Sequence, residues 1–161
     1  MTTAEYNECV DRHADGVYRF VLKNLRNDDK ARDVVQDSFE KMWLKVGEID
    51  GSKARSYLFT TAYHTMIDYL RRERFTEGID EMTQHGHSYS NGYSDLKEVL
   101  DEAVARLPDI QRSVVLLRDY EGYTYQEIGE ITGLNESQVK VYIYRARITL
   151  KNYIGSLDAV I

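Results

Sequence analysis

The chain has 161 residues, a formal net charge of −6, one proline and one cysteine. That length fits one domain or two small ones, and the acidic total excludes indiscriminate coating of nucleic acid while leaving room for a local basic face. The single Cys9 excludes an internal disulfide and points to a reducing compartment.

No apolar run approaches the length of a membrane span, and the N-terminal MTTAEYNECVDRHADG lacks a signal-peptide core. A cytoplasmic protein without membrane insertion is therefore expected. No stretch alternates β-branched and polar residues as a strand does, so the predicted class is all-α.

The first segment, from about Ala4 to Leu25, is amphipathic, with Tyr6, Val10, Val17, Phe20, Val21 and Leu25 on one face. Cys9 and His13 stand one helical turn apart on it. Two ligands without a second pair do not make a metal site. Asn27-Asp28-Asp29 starts a second helix, KARDVVQDSFEKMWLKVGEI. Its broad apolar face is Val34, Val35, Ser38, Phe39, Met42, Trp43 and Val46. Asp33, Gln36, Asp37 and Glu40 form a mostly acidic patch on the other side, and such charge runs are usually solvated surface.

Asp50-Gly51-Ser52 breaks this helix. A long third helix follows, KARSYLFTTAYHTMIDYLRRERF, with Leu58, Ala62, Met66 and Leu70 facing inward. It crowds Tyr57, Phe59, Tyr63, His64 and Tyr69 together. Lys53, Arg55, Arg71, Arg72 and Arg74 against Asp68 and Glu73 leave it at +3. Cations interleaved with rings suit a single-strand surface, where bases stack and phosphates are neutralised. For any one ring, burial in the core is the competing fate. Residues 76–94 carry no Lys or Arg and no sustained period, and read as a linker between two domains, 1–75 and 95–161. His85 and His87 within it are too few to suggest a metal.

From Asp95 to Leu107 an amphipathic helix places Leu96, Val99, Leu100, Ala103 and Leu107 inward. Pro108 opens the next, which runs to Tyr120. Thr124 to Lys151, TYQEIGEITGLNESQVKVYIYRARITLK, then carries two apolar stripes separated by Thr132-Gly133. Gly133 can take the positive φ of a sharp helix exit, Gly129 permits close approach, and Asn135 is a good N-cap. Two helices joined in this way form a helix-turn-helix, whose second helix enters a DNA major groove. Lys140, Tyr144, Arg147 and Lys151 share a face of that helix, with Arg145 further round. From position 135 onward four cations outnumber Glu136 and Asp158, leaving +2 on an acidic chain. An ordinary αα-hairpin with a solvated basic face has the same pattern.

Taken in order, these segments resemble the sigma factors of bacterial RNA polymerase, in particular their extracytoplasmic-function group. RLPDIQRSVVLLRDYEGYTYQEIGEITGLNESQVKVYIYRAR is similar to region 4 of that group, and DVVQDSFEKMW and SYLFTTAYHTMIDYLRRER to successive parts of region 2. The resemblance implies two helical domains joined by a flexible linker, no cofactor, and no enzymatic activity. It implies that Asp33, Gln36, Asp37 and Glu40 dock on the β′ clamp helices of core RNA polymerase, and that region 4 meets the β flap. The loop 48–53 would capture a flipped −10 base. Ser52, Lys53, Tyr57, Phe59, His64, Arg71 and Arg72 would serve the −10 element. Asn135, Glu136, Ser137, Gln138, Lys140, Val141, Tyr144, Arg145 and Arg147 would serve the −35 element. An anti-sigma factor is the remaining expected partner.

The chain departs from the family pattern at His64, where Asn is frequent, and at Thr132, where Leu is usual. Val141-Tyr142 stands in place of a common Ser-Arg pair, which removes one phosphate contact. The alternative reading is a stand-alone helix-turn-helix regulator, which has no use for the basic aromatic helix of the first half. Charge adds one further expectation. Residues 95–134 hold nine acids against Lys97, Arg106, Arg112 and Arg118, a balance of −5. They should attract the basic third helix when the chain is free.

Overall fold

The structure, a computed structural model, describes residues 1–76 and 95–158. The expected linker and its His85 and His87 lie outside the described residues. Seven α-helices account for most of the rest: α1 (Thr3–Leu25), α2 (Asp28–Leu44), α3 (Ala54–Thr76), α4 (Asp95–Ala105), α5 (Asp109–Val115), α6 (Tyr125–Thr132) and α7 (Glu136–Asp158). No strand occurs among the described residues.

Local chemistry sets the helix ends. Thr2 and Glu5 cap α1 reciprocally: the Thr2 hydroxyl accepts from the Glu5 amide, and the Glu5 carboxylate accepts from the Thr2 amide. The helix stops at Arg26, whose left-handed backbone (φ 56°) turns its N–H back to the Leu22 carbonyl. Asn27 then caps α2 by accepting from the Lys30 amide at 2.9 Å. Two short 3₁₀ turns, Val46–Glu48 and Gly51–Lys53, lead into α3. In the second half α5 runs on into a π-helical turn, Leu116–Tyr120.

The helix-turn-helix forms as its sequence predicts. Thr124 and Glu127 cap α6 reciprocally, Gly133 exits it at φ 84°, and Asn135 accepts from the Gln138 amide at 2.8 Å to start α7. A Cβ on Gly129 would lie 2.7 Å from the Leu134 carbonyl oxygen, so only glycine allows this tight turn without shifting backbone. Ile128, Ile131, Val139, Ile143 and Ala146 are buried between α6, α7 and their neighbours.

One apolar cluster runs through both halves, from Cys9, Val17, Phe20 and Phe59 to Val114, Leu117, Tyr123 and Ile128. Helix α1 packs on α4 and α5, and α3 packs on α6. The expected attraction between the halves is thus matched by contact. Two core assignments change. Leu96 is 72% exposed, because the buried stripe of α4 begins a turn later and holds Ala103 and Val104. Trp43 is 45% exposed, because it lies beside rather than on the buried Val34–Met42 face, with Tyr6 covering only one side of its indole.

Candidate polymerase and nucleic-acid interfaces

Helix α2 buries Ala31, Val34, Ser38 and Met42, which turns Asp33, Gln36, Asp37 and Glu40 outward. All four are exposed on one face. Beside them lies a shallow groove lined by Tyr6, Val10, Phe39, Trp43 and Leu44. Tyr6 forms its floor: the hydroxyl donates to the Phe39 carbonyl at 3.0 Å, and the ring meets Trp43 edge-on at 5.0 Å. Burial pushes the Tyr6 hydroxyl above its usual pKa. Leu44 is 80% exposed at the rim. An apolar patch edged by carboxylates is the composition of a protein-docking surface. The sequence reading found the acids and missed the patch, because helical periodicity assigns Trp43 to the core.

The residues expected at the −10 element divide into two groups. Asp50 holds the turn before α3, its carboxylate accepting from the Ser52 amide at 3.0 Å and the Ser52 hydroxyl at 2.9 Å. These bonds, the amide's first, depress the Asp50 pKa. Lys53, His64, Arg71 and Arg72 are exposed, and Tyr57 is half-buried. His64 packs edge-on against Tyr63 at 5.4 Å, and Arg71 pairs with Asp68 at 3.4 Å. Phe59 is not with them. It is 1% exposed, on the stripe with Ala62, Tyr63 and Met66, and its ring meets Tyr123 of the second half at 5.4 Å. A residue absent from the expected set, Phe75, is 86% exposed beside Arg71 and Arg72.

On α7 the expected −35 residues share the outer face. Asn135 and Gln138 are engaged in reciprocal capping, 2.8 and 3.0 Å, so their side chains hold the helix start. Glu136 pairs with Lys140 at 3.5 Å. Ser137 and Arg145 are exposed, as are Val141 (44%) and Tyr144 (66%), joined by Ile148 (40%). Arg147 differs from Arg145: its guanidinium forks onto Asp119, 2.5 and 3.2 Å, and that hydrogen bonding raises its pKa further. The π-helical turn carries Asp119 to this position. Next to it the Tyr125 ring is flanked by Arg118, 4.4 Å from its centroid, and Lys140, 5.6 Å. Arg118, Asp119 and Tyr125 were not legible as site residues, since nothing in helical spacing brings positions so far apart in sequence together.

Among the described residues no cluster of three or more His, Cys, Asp or Glu could hold a metal ion, and no helix is long and apolar enough to cross a membrane.

Comparisons with known proteins agree with this layout. Residues 9–76 match the family model described as Sigma-70 region 2, and residues 97–150 that described as Sigma-70, region 4. RNA polymerase sigma factor SigV of Bacillus subtilis is 32% identical over 143 residues, covering 86% of this chain and 84% of that protein. The ECF RNA polymerase sigma factor SigM of the same organism is 27% identical over 150 residues, covering 90% and 92%. Among solved structures, the sigma factor RpoE of Bartonella quintana, in complex with the anti-sigma factor NepR, superposes with a TM-score of 0.80 at 24% identity, covering 93% of this chain and 96% of RpoE. The chain belongs to the sigma-70 family of RNA polymerase sigma factors, in its extracytoplasmic-function group.

Proposed function

We propose that the chain is a dissociable initiation subunit, not an enzyme, that recruits core RNA polymerase to a subset of promoters. The observation that carries this is the presence, in one chain, of three differently built surfaces: an acidic and apolar face on α2, a cationic face with aromatics on α3, and an exposed recognition helix α7. A stand-alone helix-turn-helix regulator needs only the last of these.

In this reading Asp33, Gln36, Asp37 and Glu40 dock on the β′ clamp helices, with the Trp43–Leu44 groove alongside. Region 4 meets the β flap. Lys53, Tyr57, His64, Arg71 and Arg72 line the path of the −10 strand, and extruded bases exchange stacking in the duplex for protein contacts. Val141 and Tyr144 offer apolar contact to base edges such as a thymine methyl, while Lys140 and Arg145 supply hydrogen bonds and phosphate neutralisation. Residues 1–75 and 95–161 act as the two functional units. A partner of the anti-sigma class is supported by the likeness to RpoE, which was solved with one.

Run-off transcription with purified core polymerase over a promoter library tests this function. Specific transcripts should appear only when the chain is added. The free chain should bind promoter duplex weakly, because its net charge is −6 and its basic face is small. Tight, sequence-specific binding without polymerase would favour the regulator instead.

A further inference from the structure

The loop before α3 is braced from the side by the first turn of α1. The Met1 nitrogen donates to the Ile49 carbonyl at 2.7 Å, and the Ile49 side chain is buried. Beside Gly51 lies the Glu5 carboxylate. A Cβ on Gly51 would fall 2.8 Å from Glu5 Oε2, 2.9 Å from its Cδ and 3.1 Å from its Oε1. The carboxylate therefore occupies the space that any other residue at position 51 would fill with its own side chain, and it meets the loop backbone directly.

The two oxygens of Glu5 differ in what they do. Oε1 accepts from the Thr2 amide at 2.8 Å and so closes the α1 cap. Oε2 lies nearest the Gly51 position and accepts no hydrogen bond from another described residue. Glu5 is exposed, so this oxygen is a charged acceptor held in place at the loop and open to solvent. On the same loop Asp50 uses Oδ1 to hold Ser52, through its amide and its hydroxyl. Lys53, exposed one position further on, supplies a cation for a neighbouring phosphate.

An ionised carboxylate can only accept hydrogen bonds. Cytosine, adenine and guanine each carry an exocyclic amino group that donates. Thymine has none: its one imino N–H lies between two carbonyl oxygens, which repel a carboxylate. A base taken out of the stack exposes this edge and can be read by it.

We propose that Glu5 is a specificity-determining residue for the captured base. Its Oε2 accepts from an exocyclic amino group and so disfavours thymine at one position of the −10 element. This rests on the sigma-factor reading, in which the loop 48–53 captures an extruded base.

Run-off transcription with the full chain and purified core polymerase, over a promoter library randomised in the −10 element, reads the preference position by position. With the wild-type chain, thymine at one position should lower initiation about tenfold, the size of one hydrogen bond to a charged group. Glu5→Gln keeps the cap, because Gln serves in a capping box as Glu does. With its oxygen held by the Thr2 amide, its nitrogen takes the place of Oε2 and donates where the carboxylate accepted. Thymine should then be used at that position as well as the other bases or better, with helicity, melting temperature and −35 preference unchanged. Gly51→Ala displaces the end of a flexible side chain rather than backbone, so it should fold normally and weaken the same preference by about threefold or more.

A wild-type chain indifferent to thymine throughout the −10 element overturns the proposal. So does Glu5→Gln with the wild-type preference, or with a loss of initiation equal for all four bases, which would leave Glu5 a helix cap and nothing more. A wild-type chain that initiates at no member of the library overturns the sigma-factor reading and the role of Glu5 with it, whereas wild-type initiation with an unmoved preference in the variant overturns the role of Glu5 alone.

Discussion

Helices α3 and α7 each carry cations and aromatic residues expected to meet DNA, but they distribute them differently. On α3 the rings Phe59 and Tyr63 are 1% and 7% exposed, Arg55 lies over the Phe59 ring, and the exposed cations Arg71, Arg72 and Arg74 gather toward the C-terminal end. On α7 Val141, Tyr144 and Ile148 share the outer surface with the cations, while Val139, Ile143 and Ala146 fill the core. Composition therefore has a different meaning on the two helices. An aromatic on a central helix packed on several sides is core unless its face is unpartnered. An aromatic left in water on a recognition helix has no structural role to explain it.

The sharpest way to break this contrast is Phe59→Ala against Tyr144→Ala. Phe59 is buried where both halves meet, so its loss should destabilise the protein by about 3 to 5 kcal/mol in denaturant titration. Tyr144→Ala should leave stability within about 0.5 kcal/mol and weaken only −35 binding by the polymerase-bound chain. Equal stability losses would remove the distinction.

A second test bears on what aims α7. Gly129→Ala forces a Cβ to within 2.7 Å of the Leu134 carbonyl oxygen, which is backbone and cannot step aside cheaply. It should destabilise the chain by about 1 to 3 kcal/mol and disturb −35 use while leaving α3 unaffected. A variant as stable as the parent would show that the turn has slack.

Within α7, Arg145 and Arg147 sharpen the contrast further. Arg147 is anchored to Asp119, whereas Arg145 projects from the exposed surface. Arg145→Ala should relax preference at one −35 position by about 1 to 3 kcal/mol, measured across promoter variants. Arg147→Ala should act on all variants alike and also lower thermal stability slightly, since an exposed ion pair contributes about 0.2 to 1 kcal/mol. Identical profiles for the two would refute the split.

An equally small stability effect is expected on α2, whose outer face should behave like that of α7. Asp37→Arg should leave the unfolding free energy within about 0.5 kcal/mol, yet prevent co-purification with core polymerase. Normal co-purification, or lost helicity, would remove Asp37 from the docking surface.

Much of the protein was legible in the sequence where the signal is local. The capping residues Asn27 and Asn135, the left-handed Gly133, the crowded Gly129 and the buried stripes of α3, α6 and α7 all depend on neighbours within a few positions, so periodicity and turn chemistry find them. The acidic face of α2 and the basic face of α7 follow from the same periodicity.

Contacts across tens of residues were decided by tertiary structure alone. Asn24 and Arg112 are polar residues that a sequence reading leaves at the surface, but each is buried. The Asn24 side-chain oxygen accepts from Arg112 Nε and from the Ser113 hydroxyl, both at 3.1 Å, and Arg112 also reaches the Leu107 carbonyl and Asp109. Burial of such groups depends on a partner being present, and partners 88 and 89 positions away leave no periodic trace. The same holds for Phe59, whose place was set by Tyr123 arriving from the other half, and for Glu121, which is one more acid in the sequence until Arg19 and Arg55 enclose it. Local chemistry determined the helices and the faces they expose, whereas which faces meet depended on complementary shape and charge between distant parts of the chain.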